Sequence, residues 1–257
     1  MSAVGDIDGT AGVNASNIVF NAPNEYQAVL TLGDNSYQSN YTSFTSGWGR
    51  LKTKMYASTG NHDYSYLSSY DTAVSGAAGG KTAGGKYYYS FNLGEWHLIA
   101  LDSSASDFNT ANGTQITWLK ADLAANTKKC VLAYWHHPRW SSSSNHGNQT
   151  QATAAWAALY AGGADVVLGG HDHDYERFGP QDPQQNADTV KGITEYVVGT
   201  GGASFYGISS TLQPNSKFTQ NTKNGILKLT LKPNGWDSVF VPNGGAATLD
   251  AASGTCH

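Results

Sequence analysis

Charged side chains are few in this chain. Asp, Glu, Lys and Arg together make up 13% of the residues, the formal net charge is −4 and the pI is near 6.0. No Lys/Arg run stands out, so the basic stripe that nucleic acid requires is missing and no nucleic-acid partner is expected. Ser, Thr, Asn, Gln and Gly must cover the surface instead, a composition common outside the cell. Long apolar runs are missing as well. None approaches the roughly 20 residues of a membrane helix, so no membrane partner is expected. Cysteine is reduced to Cys130 and Cys256. In an oxidising compartment a bridge between them would tie down the tail and close a long loop; two unrelated thiols are the alternative. No internal repeat, linker or composition break divides the sequence, so residues 1–257 are read as one domain, long enough for a sizeable core. Met1-Ser2-Ala3-Val4 leads straight into a polar cluster. The expectation is a mature exported domain, secreted or periplasmic, from which a signal or preceding domain has been removed.

What the chain does hold is five short polar clusters: Gly5-Asp6-Ile7-Asp8, Gly33-Asp34-Asn35-Ser36-Tyr37, Gly60-Asn61-His62-Asp63, Trp135-His136-His137-Pro138 and Gly170-His171-Asp172-His173. Apolar runs at 28–32, 131–134 and 165–168 precede three of them and read as buried strands. The clusters then collect at the strands' C-terminal edge, where open α/β sheets build their sites. Carboxylate, imidazole, amide and phenol from five segments describe a two-metal centre better than a single-metal site.

Between the clusters, Asn112 to Asn126 and Asn148 to Gly162 carry helical spacing, and Tyr41 through Met55 is a third helix candidate broken by Gly47 and Gly49. Lys86 to Asn92 and Trp96 to Leu101 form a hairpin turning at Gly94-Glu95. A strand over Glu195 to Val198 and a terminal pair, Gly225 to Leu231 and Trp236 to Val241, complete the pattern. It suggests two sheets packed together with helices outside. Pro180 to Asp188 and Gly207 to Thr222 read as surface loops near the mouth of the site.

Asp6 and Asp8 share a Gly-bounded turn, where a carboxylate can bind metal, cap a helix or stay exposed. Asp34 closes a strand and can offer one oxygen to each of two metals. Tyr37 can turn back to the same place, and a ligating phenolate requires a strongly Lewis-acidic ion such as Fe(III). Asn61 is a weak amide ligand; taken alone, Gly60-Asn61 is a tight turn. His62 points elsewhere, as a supporting residue or a phosphate-facing acid. Strand alternation sends His136 and His137 to opposite sides, so only one of them should bind metal. His146 lies in a Ser/Asn-rich loop. His171 and His173, two apart in extended chain, project to the same side and can serve one metal each. Tyr175, Glu176 and Arg177 are placed to orient those ligands.

In this order the clusters resemble the calcineurin-like metallophosphoesterase superfamily, and within it are similar to the purple acid phosphatases. The resemblance rests on Gly-Asp-x-x-Tyr at 33–37, Gly-Asn-His-Asp at 60–63, Val-x-x-x-x-His ahead of Pro138, and Gly-His-x-His-x-Tyr-Glu-Arg at 170–177. It implies an α/β fold of the four-layer α-β-β-α kind, two mixed sheets flanked by helices, with two metal ions. Asp6, Tyr37 and His173 would hold Fe(III); Asn61, His136 and His171 would hold Fe(II), Zn(II) or Mn(II); Asp34 would bridge. Within the resemblance His136, not His137, is the ligand, and His62 and His146 face the phosphate and leaving group. Two positions depart from the family: Asp8 stands where purple phosphatases have Gly, and His137 adds an imidazole. The large plant enzymes' N-terminal β-sandwich domain is also missing.

The implied reaction is hydrolysis of small-molecule phosphomonoesters by a metal-bound hydroxide attacking phosphorus. Phosphodiesters or nucleotides are the alternative substrates, with choice expected to lie in loops around Ser65 to Ala83 and Gly179 to Thr222. A non-catalytic binding domain would have lost ligands, whereas all seven positions are occupied. Oligomeric state is left open.

Overall fold

The computed structural model describes residues 1–82, 84–245 and 247–257. Ala83, at the end of one loop expected to govern substrate choice, lies outside the described residues. Along the chain come β1 (Ser2–Val4), α1 (Gly9–Phe20), β2 (Val29–Leu32), α2 (Thr42–Ser46), β3 (Met55–Ser58), α3 (Asn61–Tyr64) and α4 (Leu67–Ala73). Next are β4 (Tyr89–Leu93), β5 (Trp96–Ala100), α5 (Thr114–Ala125), β6 (Cys130–Tyr134), α6 (Thr153–Ala161) and β7 (Val166–Gly169). The last part is mostly strand: β8 (Tyr175–Phe178), β9 (Thr194–Val198), β10 (Ser216–Gln220), β11 (Gly225–Lys232), β12 (Gly235–Pro242) and β13 (Ala251–Thr255).

Two mixed sheets result. The first runs β13-β12-β11-β1-β2-β3, the second β10-β8-β9-β7-β6-β5-β4. The strands β1, β2 and β3 are mutually parallel, as are β5, β6, β7 and β9. In β6, Cys130, Leu132 and Tyr134 face the first sheet, while Val131 and Ala133 pack under α5 and α6 with Ile116, Leu119 and Trp156. In β2, Leu30 and Leu32 join the inter-sheet core and Val29 packs under the helices that carry Ala15, Phe44 and Tyr70. Three apolar layers therefore separate four layers of structure. Strands buried on both faces read as continuous apolar runs, and that is why 28–32, 131–134 and 165–168 stood out in the sequence.

The expected helices at 112–126 and 148–162 form as α5 and as α6 behind a short 3₁₀ turn, Thr150–Ala152. The third candidate is different. Gly47 ends α2, Trp48–Lys54 is 3₁₀, and Met55 already belongs to β3. The hairpin turns at Gly94-Glu95 as expected but starts at Tyr89, leaving Tyr87 and Tyr88 outside it. The expected loop at 207–222 contains β10, paired with β8. Cys130 and Cys256 are joined in a disulfide with their Cα atoms 5.3 Å apart. It ties the edge of the first sheet to an inner strand of the second, at the end of β6 away from His136.

Candidate metal centre

Each of five parallel strands ends directly before a polar cluster: β1 before Gly5-Asp6, β2 before Gly33-Asp34, β3 before Thr59-Gly60-Asn61, β6 before Trp135-His136 and β7 before Gly170-His171. Three of those strands belong to the first sheet and two to the second, so the donors meet over the seam between the sheets. The chain must pack tightly there. A Cβ on Gly33 would lie 2.6 Å from the His136 ring, and one on Gly60 would run into the Asp34 backbone and carboxylate. Glycine before a donor is thus a steric requirement at these two turns.

Three of the seven expected ligands have left-handed backbone: Asp6 (φ 60), Asp34 (φ 45) and His171 (φ 69). Such a φ costs about 1 kcal/mol or more for a non-glycine residue, and Asp and His tolerate it better than most. It turns each side chain back over the strand end. The His171 N–H then donates to Asp6 Oδ2 at 2.8 Å, and the His62 N–H to Asp34 Oδ1 at 2.8 Å.

The donors fall into two groups. In the first, the Tyr37 hydroxyl donates to Asp6 Oδ1 at 2.9 Å and lies 2.7 Å from His173 Nε2, which is 3.4 Å from the same carboxylate oxygen. In the second, His136 Nε2 lies 3.1 Å from Asn61 Oδ1, 3.2 Å from His171 Nδ1 and 3.3 Å from Asp34 Oδ2. Donor atoms of Asp6, Asp34 and His136 all lie within 4.8 Å of one another, so Asp34 reaches both groups. The remaining nitrogens are tied down: His136 Nδ1 to the Leu32 carbonyl and His173 Nδ1 to the Ser204 carbonyl, each at 2.8 Å. That fixes Nε2 of both rings toward the centre, the arrangement that ligating histidines require.

Electrostatics follow from burial. His136 is fully buried, which opposes its protonation, but the carboxylates of Asp34 and Asp6 and the Leu32 carbonyl together outweigh burial and raise its pKa to about 9. Burial also opposes ionisation of Asp6, yet His173 and His136 hold it below the usual carboxylate range. Burial, then the carboxylates of Asp6 and Asp34, push the Tyr37 phenol far above its ordinary value. Burial and the neighbouring His136 lower His137 to about 3. Buried carboxylates, a phenol and imidazoles, with a single amide, make a mixed oxygen–nitrogen set suited to two ions of the iron, zinc or manganese kind.

Some expectations need correction. His137 is not on the far side from His136. The strand stops at Tyr134, so the alternation rule does not reach either histidine, and the His137 ring lies 4.4 Å from that of His171. Its Nδ1 is 2.8 Å from Ser103 Oγ. The chain at His171–His173 is not extended either. It is tightly folded, with Asp172 N–H bonded to the Gly170 carbonyl, and that fold delivers the two imidazoles to different groups. Asp8 occupies the N-cap position of α1, apart from the close donor set. The hydrogen bonds of the Tyr175 and Arg177 side chains go to Asp250 and not to the ligands, the arginine in a two-point grip at 2.8 and 2.9 Å. Glu176 accepts from the N–H and hydroxyl of Ser142 and from Ser216. With Glu195, which accepts from the N–H groups of Arg139 and Trp140, it clamps the loop leading to His146.

His62 and His146 border the donors. The His62 ring lies 4.4 Å from that of Tyr37, and His146 4.2 Å from that of His171. Two further residues were not singled out from the sequence. Asp63 accepts from Asn35 N–H and amide, Gly60 N–H and the Tyr41 hydroxyl, so it locks the Asp34 turn to the Asn61 turn. Its place in the Gly-Asn-His-Asp cluster was the available signal. Tyr206 stacks on His173 at 3.9 Å and meets His146 edge-on. It comes from a loop with no motif, and nothing in the sequence marked it.

Residues 4–175 match the family model described as calcineurin-like phosphoesterase. The chain belongs to this family. Among curated relatives, purple acid phosphatase 15 of Arabidopsis thaliana is 27% identical over 219 residues, covering 69% of this chain and 40% of that protein. The chain thus spans well under half the length of that relative. Purple acid phosphatase PPD1 from yellow lupin seeds superposes with a TM-score of 0.82 at 15% identity, covering 99% of this chain and 53% of that one. GAP50, the anchor in the inner membrane complex of Plasmodium, superposes at 0.72 and 15% identity, covering 100% and 88%. The fold alone therefore does not decide function, and the donor set has to.

Proposed function

We propose that the chain is a binuclear metal-dependent phosphatase acting on small phosphomonoesters. One observation carries this reading: seven donors from both sheets converge in two groups joined by Asp34, with His136 and His173 each presenting Nε2. A binding domain with no chemistry to perform has no need of a complete set. Asp6, Tyr37 and His173 would hold Fe(III), and Asn61, His136 and His171 would hold Fe(II), Zn(II) or Mn(II). Such a pair, when bound, lowers the pKa of a water molecule and neutralises phosphate charge.

The chain's own side chains supply the rest. His62, set beside the Tyr37 ring and held by the bond from its N–H to Asp34, would face the phosphoryl oxygens and offset their growing charge. His146, on the clamped loop, is placed to give a proton to the departing alkoxide. An exported location suits the Cys130–Cys256 disulfide, and no helix among the described residues is long and apolar enough to cross a membrane.

The test is hydrolysis of nitrophenyl phosphate by protein loaded with iron and zinc, alongside metal analysis. About two ions per chain and turnover that falls at least 100-fold in Asn61→Ala and His171→Ala are expected. Full activity in both variants would overturn the assignment. Turnover of bis-nitrophenyl phosphate faster than of the monoester would move the substrate class to diesters.

A further inference from the structure

Beside the second donor group lies a cleft of about 400 Å³, within the size range of small-molecule sites. The buried His137 and Ser103 form its inner wall, and Asn61, Tyr64, Ser106, Asn109 and Gln151 line the rest. It is built by the turn between β5 and α5, not by the loops that the sequence suggested. Asn61 belongs to both the lining and the second donor group, so the cleft directly adjoins the donor set.

The lining is hydroxyl, amide and imidazole, with neither Lys nor Arg in it. Behind it sits the buried carboxylate of Asp102, which receives the hydroxyls of Tyr64 and Thr59 and the Ser104 N–H. Because Tyr64 spends its proton on Asp102, its oxygen offers only lone pairs to the cleft. On the inner wall, Ser103 Oγ accepts the His137 N–H at 3.1 Å and lies 2.8 Å from Nδ1. The Asn109 and Gln151 amides and the Ser106 hydroxyl supply donors as well as acceptors. The cleft therefore offers both acceptors and donors, but no cationic side chain.

We infer that this cleft holds the leaving group and selects a neutral, hydroxyl-rich one of single-sugar or polyol size over an apolar or further phosphorylated one. Hydroxyls satisfy both kinds of partner. A second phosphate in the cleft would find no Lys or Arg in the lining and would lie near the Asp102 carboxylate behind it, where Coulomb repulsion in a partly desolvated pocket is strong. The inference rests on the phosphomonoesterase reading.

The test compares kcat/KM of the metal-loaded enzyme for a hexose 6-phosphate, n-hexyl phosphate and inositol hexakisphosphate, with nitrophenyl phosphate as the reference for the chemistry. The hexose ester is expected to exceed both others at least tenfold. Asn109→Lys, at an exposed turn, should narrow the hexose-to-inositol ratio at least fivefold with metal content and thermal midpoint unchanged. Equal use of the three esters, or a ratio that Asn109→Lys leaves unmoved, would overturn the inference while nitrophenyl phosphate turnover keeps the parent reading. An enzyme inactive on all four substrates defeats both.

Discussion

His136 Nε2 lies 3.3 Å from Asp34 Oδ2, an imidazole from the second sheet against a carboxylate from the first. Without metal this is a buried ion pair, and the pair sets how the protein responds to pH and to chelation.

The metal-free protein should lose stability as pH rises from about 6.5 to 9. His136 has a folded pKa of about 9, above its unfolded value of 6.5, so its contribution is fully present below 6.5 and lost on the way to 9. At 1.36 kcal/mol per unit the loss is on the order of 3 kcal/mol. His137, lowered to about 3, acts oppositely, and its contribution is lost as pH falls from 6.5 toward 3. Thermal midpoints of chelated protein across pH 5–10 should peak near neutrality, and His136→Gln should flatten the alkaline side. An alkaline slope that survives in that variant would assign the effect elsewhere.

Metal uptake should release protons, since His136 and Tyr37 both hold theirs in the metal-free state. Titrating iron and zinc into weakly buffered protein at pH 7 should acidify the solution and raise the melting temperature. Uptake without either change would show that the ions bind outside the seam.

Tyr37→Phe tests the phenolate. Iron-loaded wild type should show a broad visible charge-transfer band, and the variant should lose the band while retaining the fold, because only one oxygen is removed. Colourless iron-loaded wild type would exclude Tyr37 as a ligand to Fe(III).

Glu176→Gln should lower kcat about tenfold with metal content unchanged. It removes charge-assisted hydrogen bonds to Ser142 and Ser216, worth roughly 1–3 kcal/mol each, and loosens the loop that carries His146. If metal content fell in parallel with kcat, the residue would support the ligands instead.

Cys256→Ser should cost about 4–5 kcal/mol in the chain-entropy picture, given a separation of 126 residues. Activity at low temperature should persist, as the bridge is at the far end of β6. Denaturant midpoints and turnover measured side by side check both halves of this expectation.

The clusters at Asp34, His136 and His171 were legible because β2, β6 and β7 are buried on both faces and their apolar runs mark them without knowledge of the partner strands, whereas the short β1 and β3 carry no such run. Helix α1 was not legible. Gly9–Phe20 contains two Gly, two Asn and two Val, a poor helix composition, and it forms because Gly12, Ala15, Ser16 and Val19 pack against the sheet. Gly12 lies so close to the Gly201 carbonyl that a Cβ would sit 2.7 Å away. The partners of Tyr175 and Arg177 were equally hidden. Asp250 is more than 70 residues from either, and only the assembled sandwich brings them together.

The disulfide and the donor set fasten the same two sheets at opposite ends, but they become available at different times. All seven donors lie before residue 174, whereas Cys130 must wait for Cys256, and β1 gains β11 only once residues 225–232 exist. A growing chain thus carries a full complement of ligands long before its first sheet is whole. The left-handed turns at Asp6, Asp34 and His171 hold their shape only when neighbouring strands constrain them. The five strands that lead into the donors, β1, β2, β3, β6 and β7, all precede the closure of that first sheet in the chain.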